Sequence, residues 1–177
     1  YSDFSHIKNT ICGFLPFTLT NSQEKVLQDI EKDMLSKHKM NRLIQGDVGT
    51  GKTVLALIAS AVAVHNNNSA LVVAPTEILA KQHYQEIKPY FDKLNLNICL
   101  LTSSSSKEEK ARINQLQEMQ IPCLIVGTQS LLNDNINPYN LSLVIIDEQH
   151  RFGVNQRSKL VNKTKNCDLL MLSATPI

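Results

Sequence analysis

Several protein classes are excluded by what this sequence lacks. No apolar run approaches the ~18 residues needed to cross a bilayer. The N-terminal YSDFSHIKNT has no basic segment followed by an apolar one, so neither a membrane partner nor a secretory leader is expected. The four cysteines, Cys12, Cys99, Cys123 and Cys167, are isolated, with no CxxC pair. That spacing argues against a zinc site or a disulfide framework. Three of them sit in or beside apolar runs, where a reduced thiol behaves as a small hydrophobe. A reducing, cytoplasmic setting is expected. Strong net charge is also missing: the balance is +2 over 177 residues, so a polyanion would need a local site. There is no starting methionine, and the chain stops at SATPI just after an apolar run, so a piece of a longer protein is expected.

What is present fits one globular domain. The length is about one domain's worth, with 42% hydrophobic and 19% charged residues. Short apolar runs alternate with longer helical stretches. Strands are expected at Arg42–Gln45, Ala70–Ala74, Asn97–Leu101, Cys123–Val126, Leu143–Ile146 and Leu169–Leu172. Helices are expected at Lys52–His65, Thr76–Phe91, Lys107–Met119 and about Asn155–Val161. This alternation argues for an α/β fold, a parallel sheet with helices on both faces. Continuous apolar strands agree, because such strands are buried on both sides. Thr20-Asn21-Ser22-Gln23 and Ser106-Lys107-Glu108-Glu109 match the capping-box pattern, and Thr76 suits an N-cap after Pro75. Residues 1–16 read as a lead-in from a preceding domain, with weak structure of their own.

Gly46-Asp47-Val48-Gly49-Thr50-Gly51-Lys52-Thr53 fits G-x-x-x-x-G-K-[ST]. It follows the strand RLIQ and opens the helix VLALIASAVAV, the context the motif requires. Glycines let such a loop curl so that backbone N–H groups point at phosphate oxygens. A helix N-terminus adds about +0.5 of a charge. Lys52 then reaches the β- and γ-phosphates of a nucleotide, and Thr53 offers a hydroxyl to Mg²⁺.

The stretch LSLVIIDEQHRFG starts apolar and ends in acid. Asp147 and Glu148 follow a run that reads as a buried strand. Two adjacent buried carboxylates are costly, and one tends to take up a proton. In open parallel sheets, ligands bind beyond the carboxyl ends of the strands. There a nucleotide-bound Mg²⁺ reverses the cost. Asp147 is suited to hold the ion, through water because Mg²⁺ gives up its waters reluctantly. Glu148 is suited to accept a proton from the water attacking the γ-phosphate, or to orient it.

DEQH has the form of the DExH box of superfamily 2 helicases. PTEILAKQH resembles motif Ia, VGTQSLL motif Ib and SATP motif III, in order along the chain. LPFTLTNSQ, MNRLIQGDVGTGKT, APTEILAKQH, DEQHRFGVNQR and SATPI together resemble the RecG family of ATP-dependent branched-DNA helicases, from about Leu15 onward. Departures are few: Gln129-Ser130 stands where the family usually has His-Ala, and Thr50 and Ser173 are mild swaps. The motor of the transcription-repair coupling factor is the alternative. It usually carries DEEH where this chain has Gln149, and it lacks a close match to Asn155-Gln156-Arg157.

The resemblance implies a RecA-like P-loop NTPase lobe over residues 17–177, with the strand Leu169–Leu172 between those of the phosphate loop and DEQH. It implies ATP and Mg²⁺ as ligands. Forked or branched DNA is the implied partner, together with a second RecA-like lobe and a wedge domain of the same full-length chain. The setting it implies is the bacterial cytoplasm, at the nucleoid. Gln23 matches the adenine-reading glutamine of the family, while its spacing equally suits N3 of a capping box. Phe17 either stacks on the base or belongs to the core. Pro75, Thr76, Glu77, Gly127 and Thr128 match loops that hold one DNA strand by its backbone; Thr76 also suits a plain N-cap. Ser173 and Thr175 match hydroxyls that link the γ-phosphate to the DNA site, or else cap a turn. His150 reads as a linker between Glu148 and those hydroxyls. Arg151 and Arg157 suit phosphates, carboxylates or a neighbouring domain equally. Lys81, Gln82 and His83 read as a solvated helix face. The second lobe normally supplies an arginine worth ~10³–10⁵ in rate, so the lobe alone is expected to bind ATP weakly and hydrolyse it barely.

Two other classes compete on the residues alone. A switch GTPase needs N-K-x-D, and Asn162-Lys163-Thr164-Lys165 fails at the last position. A nucleotide-binding scaffold without catalysis is expected to have lost Lys52 or Glu148, and both are present.

Overall fold

A computed structural model describes residues 1–46, 50–148 and 152–174, with the backbone alone for Thr50. The apolar runs form six strands: β1 Asn41–Gln45, β2 Ser69–Val73, β3 Ile98–Leu101, β4 Leu124–Gly127, β5 Leu141–Asp147 and β6 Asp168–Ser173. All pair in parallel, in the order β1-β6-β5-β2-β4-β3. β6 therefore lies between β1 and β5, the placement the resemblance implies.

Strand side chains alternate between the two faces of a sheet, and here each face has its own core. Ala70, Val72, Leu143 and Ile145 face one layer, while Leu71, Val73, Val144 and Ile146 face the other. The first layer takes helices α1 Phe4–Phe14, α2 Asn21–Leu35, α3 Thr50–His65 and α4 Glu77–Lys93. The second takes α5 Lys107–Glu118, a 3-10 turn at Gln129–Leu132 and α6 Val154–Lys163. Burial on both sides explains why β2 and β5 read as unbroken apolar runs rather than as alternating ones. None of the described helices is long and apolar enough to cross a membrane.

The caps follow their sequence signals. Thr20 and Gln23 form a complete capping box at the start of α2. At α5 only half of the box is made: Ser106 Oγ accepts from Glu109 N at 3.1 Å. Thr76 Oγ1 accepts from Leu79 N at 3.2 Å and caps α4. The cysteines are free thiols, with Cys99, Cys123 and Cys167 buried.

The expectation of weak structure over residues 1–16 is corrected. Phe4, Ile7 and Ile11 are buried, and their spacing of three and four places them on one stripe of α1. α1 packs on α3, so its residues belong to the first core layer. The chain start is pinned as well. Tyr1 Oη donates to Ser142 Oγ at 2.5 Å, and Ser2 N donates to Asn66 Oδ1 at 2.6 Å.

Candidate functional site

Parallel strands all point their carboxyl ends to one rim, and the candidate residues collect there. They divide by strand order. Gly46, Asp147 with Glu148, and Ser173 lie at the ends of β1, β5 and β6, which are neighbours in the sheet. Pro75 to Glu77 and Gly127 with Thr128 lie just past or at the ends of β2 and β4, in the other half.

On the first half the segments are joined by hydrogen bonds. Gly46 N donates to Ser173 O at 3.1 Å, so the mouth of the phosphate loop continues the β1–β6 pairing. Glu148 N donates to Leu172 O at 2.8 Å and extends the β5–β6 pairing. The Glu148 side chain then turns back: Oε1 accepts from Ala174 N at 2.9 Å and lies 3.5 Å from Lys52 Nζ. Lys52 is 14% exposed and Glu148 13%, so this ion pair sits in a recess rather than on open surface. Glu148 adopts φ 58°, in the left-handed region. A non-glycine residue there persists only where its surroundings over-determine it, and these three contacts do so.

Asp147 has a different partner. Its Oδ2 accepts from His83 Nε2 at 2.9 Å, and both side chains are 14% exposed. The expectation that His83 faces solvent is therefore corrected. His83 lies three residues after Ala80 and four before Ile87, both fully buried on α4, so it stands on the inner stripe of that helix. A polar residue at a core position of the helical repeat was the available signal.

Gln23 divides its amide between two directions. Oε1 accepts from Thr20 N at 2.8 Å, as the capping box requires. Nε2 faces the phosphate loop: a Cβ on Gly51 would lie 2.8 Å from it. Phe17 is 40% exposed, so the core alternative for it is excluded. With Leu15, Val54, Leu57, Pro89 and Tyr90 it lines a cleft of about 360 Å³ that opens beside Thr53. Among the described residues no hydrogen bond joins Thr53 to Asp147.

On the second half, Ala74 N donates to Gly127 O at 2.8 Å, which holds the ends of β2 and β4 side by side. Glu77 is already engaged. Its Oε1 accepts from Ser103 Oγ at 2.8 Å and from Ser104 N at 3.0 Å, fastening the serine loop after β3 to the first turn of α4. The Ser103 hydroxyl, followed by the Ser104 amide, pulls the Glu77 carboxyl down to about 2. α6 grips the segment after the 3-10 turn: Lys163 Nζ donates to Asn133 O at 2.9 Å and also to Ile136 O. No local pattern signals this clamp, which joins Lys163 to residues 27 and 30 positions earlier in the chain.

Asp47, Val48, Gly49, His150, Arg151 and Thr175, with the side chain of Thr50, lie outside the described residues.

A parallel sheet that brings a G-x-x-x-x-G-K-T lysine within 3.5 Å of a carboxylate just past the end of β5 defines a P-loop α/β lobe. The chain belongs to the DEAD/DEAH box helicase family, whose profile matches residues 20–177. It is 48% identical over 164 residues to the ATP-dependent DNA helicase RecG of Bacillus subtilis, covering 92% of this chain and 24% of that protein. To RecG of Streptococcus pneumoniae it is 49% identical over 163 residues, with the same coverage of 92% and 24%. Its fold matches a structure of RecG bound to a three-way DNA junction with TM-score 0.80 and 40% identity, covering 98% of this chain and 23% of that one. The UvsW helicase of bacteriophage T4 shares the fold at TM-score 0.64 and 16% identity, over 90% of this chain and 53% of that one. The chain thus spans about a quarter of the length of the curated relatives it matches. These relatives do not favour the transcription-repair coupling factor alternative.

Proposed function

We propose that this chain is the ATP-binding motor lobe of a DNA helicase and translocase that remodels stalled replication forks and branched recombination intermediates. In this reading residues 17–177 are the first of two RecA-like lobes, and the wedge that recognises branches lies elsewhere in the full protein, which works on DNA in the cytoplasm. The observation that carries it is the approach of Lys52 Nζ, in the first turn of α3, to Glu148 Oε1 just past the end of β5, at 3.5 Å.

The donor set suits Mg²⁺, which prefers one or two carboxylates together with phosphate oxygens and retained waters. Asp147 supplies the carboxylate at the end of β5, and Thr53 the hydroxyl. Held by these two groups, a bound Mg²⁺ would supply neutralisation of the charge that develops on the phosphates. The chain's own residues do the rest. Lys52 exchanges Glu148 for the phosphates of ATP. Glu148, released from the lysine but still held by Ala174 N, takes the proton of the attacking water as the γ-phosphorus bond to the bridging oxygen breaks. Gln23 Nε2 and Phe17 receive the adenine beside Gly51 and the apolar cleft. Ser173 and Thr175, with His150, are assigned the relay of the γ-phosphate state toward the DNA site.

The second half of the rim holds one DNA strand through Pro75, Thr76, Gly127 and Thr128. Hydroxyls, backbone amides and a helix N-terminus suit phosphates without reading sequence. Glu77 contributes by fixing Ser103 and Ser104 rather than by touching a phosphate, since its carboxylate is charged and already bonded.

The test is ATP hydrolysis by the full-length protein with and without forked DNA, alongside ATP and GTP affinities. ATP-selective hydrolysis stimulated by the fork is expected. Equal use of GTP, or no response to DNA, contradicts the reading. The isolated lobe should turn over far below the ~10 per second of an ordinary enzyme.

A further inference from the structure

The two halves of the rim are joined by one side chain that the helicase motifs leave without a task. α4 begins at the Thr76 cap and the Glu77 turn, among the candidate DNA residues. His83 lies six positions beyond Glu77, about 9 Å along the helix at 1.5 Å per residue. From there it crosses to the nucleotide half and meets Asp147 at 2.9 Å. The contact is not a surface ion pair, because each side chain is 14% exposed. A carboxylate only accepts, so Nε2 carries the proton. The opposite ring nitrogen, Nδ1, is buried and has no hydrogen-bond partner among the described residues. A histidine that served packing alone is expected to satisfy that atom or to expose it. Here the ring is oriented by its bond to Asp147.

We propose that His83 is a positioning residue for the metal-binding carboxylate. It holds one oxygen of Asp147 and leaves the other to a metal-bound water, and it fastens that carboxylate to the helix whose first turn faces the DNA. This rests on the reading of Asp147 as the Mg²⁺ carboxylate. Groups behind a metal ligand that fix its orientation commonly tune metal affinity in this way.

An isosteric pair of variants tests it. His83→Gln places an amide N–H where Nε2 stands and keeps the bond. His83→Asn places its amide where Nδ1 stands and cannot reach Asp147. Binding of a fluorescent ATP analogue to the full-length protein is titrated with Mg²⁺ and repeated in EDTA, with thermal melting in parallel. His83→Asn is expected to raise the Mg²⁺ concentration for half-maximal tightening by about tenfold or more, while affinity in EDTA stays within about twofold of wild type. His83→Gln is expected to match wild type throughout. If His83→Asn fails to melt cooperatively, His83→Gln decides alone and must keep the wild-type Mg²⁺ dependence.

Equal behaviour of the two variants, or equal losses with and without Mg²⁺, overturns the proposal and leaves His83 a structural residue. Wild-type binding that does not respond to Mg²⁺ at all instead overturns the reading of Asp147, so the two failures are distinguishable.

Discussion

Replacing Gly127 by alanine tests how tightly the second half of the rim is built. Gly127 ends β4 and is flanked by Val73 of β2 and Leu101 of β3. A Cβ there would drive into the Leu101 carbonyl oxygen and lie 3.0 Å from the Leu131 side chain. Leucine can change rotamer, but the Leu101 carbonyl belongs to backbone paired with β4 and can give way only by shifting the end of β3. Overpacking that a core cannot absorb costs about 1–3 kcal/mol, and the backbone clash places this case in the upper part, about 2–3 kcal/mol. A domain of this size loses about 2–4 °C of Tm per kcal/mol, so the drop should be about 4–12 °C. Calorimetry of the wild type and Gly127→Ala measures it. Nucleotide binding should change little, because β2 stands between β4 and β5. A Tm within about 1 °C of wild type would show that the ends of β3 and β4 separate easily, and the close approach would lose its meaning.

Ser103→Ala should raise the Glu77 pKa from about 2 toward its ordinary 4.5, read from the carboxyl carbon shift by NMR. The sign follows from the depressed value: the link between α4 and the serine loop is fully present above the ordinary carboxyl range and is lost as pH falls through about 2. An unchanged Glu77 titration in Ser103→Ala would remove the hydroxyl as the cause. Glu148→Gln should cut DNA-stimulated hydrolysis by about 100-fold or more while leaving ATP affinity near wild type, since an amide oxygen still accepts from Ala174 N; hydrolysis near the wild-type rate would exclude Glu148 as the base. Ile11→Ala should cost about 2–5 kcal/mol in urea unfolding, because Ile11 is 0% exposed in the first core layer. A cost below about 0.5 kcal/mol, the range of surface changes, would restore α1 to a loosely attached lead-in.

The residues differ in how legible they were. β2 and β5 announced themselves because strands buried on both faces need apolar residues at every position. The capping box at Thr20 did so because its two hydrogen bonds lie within four residues. α1 escaped notice because its stripe of Phe4, Ile7 and Ile11 is short and interleaved with polar residues, and its partner, α3, lies about fifty positions away. Lys52 and Glu148 were each conspicuous by motif, but their meeting depends on β6 entering between β1 and β5. That order came from family resemblance and not from any local pattern. His83 was misread for a related reason: helical spacing places it on the inner stripe, yet only the long-range crossing to Asp147 gives a buried imidazole a partner. The Lys163 clamp and the Glu77 hold on the serine loop are of the same kind, bonds between segments that lie 26 to 30 residues apart in the chain.

The nucleotide pocket itself is tested most directly by a crystal structure of the full-length protein with Mg²⁺ and a non-hydrolysable ATP analogue. The triphosphate should lie across the ends of β1, β6 and β5. Lys52 Nζ should have left Glu148, now 3.5 Å away, for a phosphate oxygen, with Asp147 facing the metal. A triphosphate bound elsewhere, or one that leaves the Lys52–Glu148 pair intact and Asp147 remote from the ion, would contradict the account.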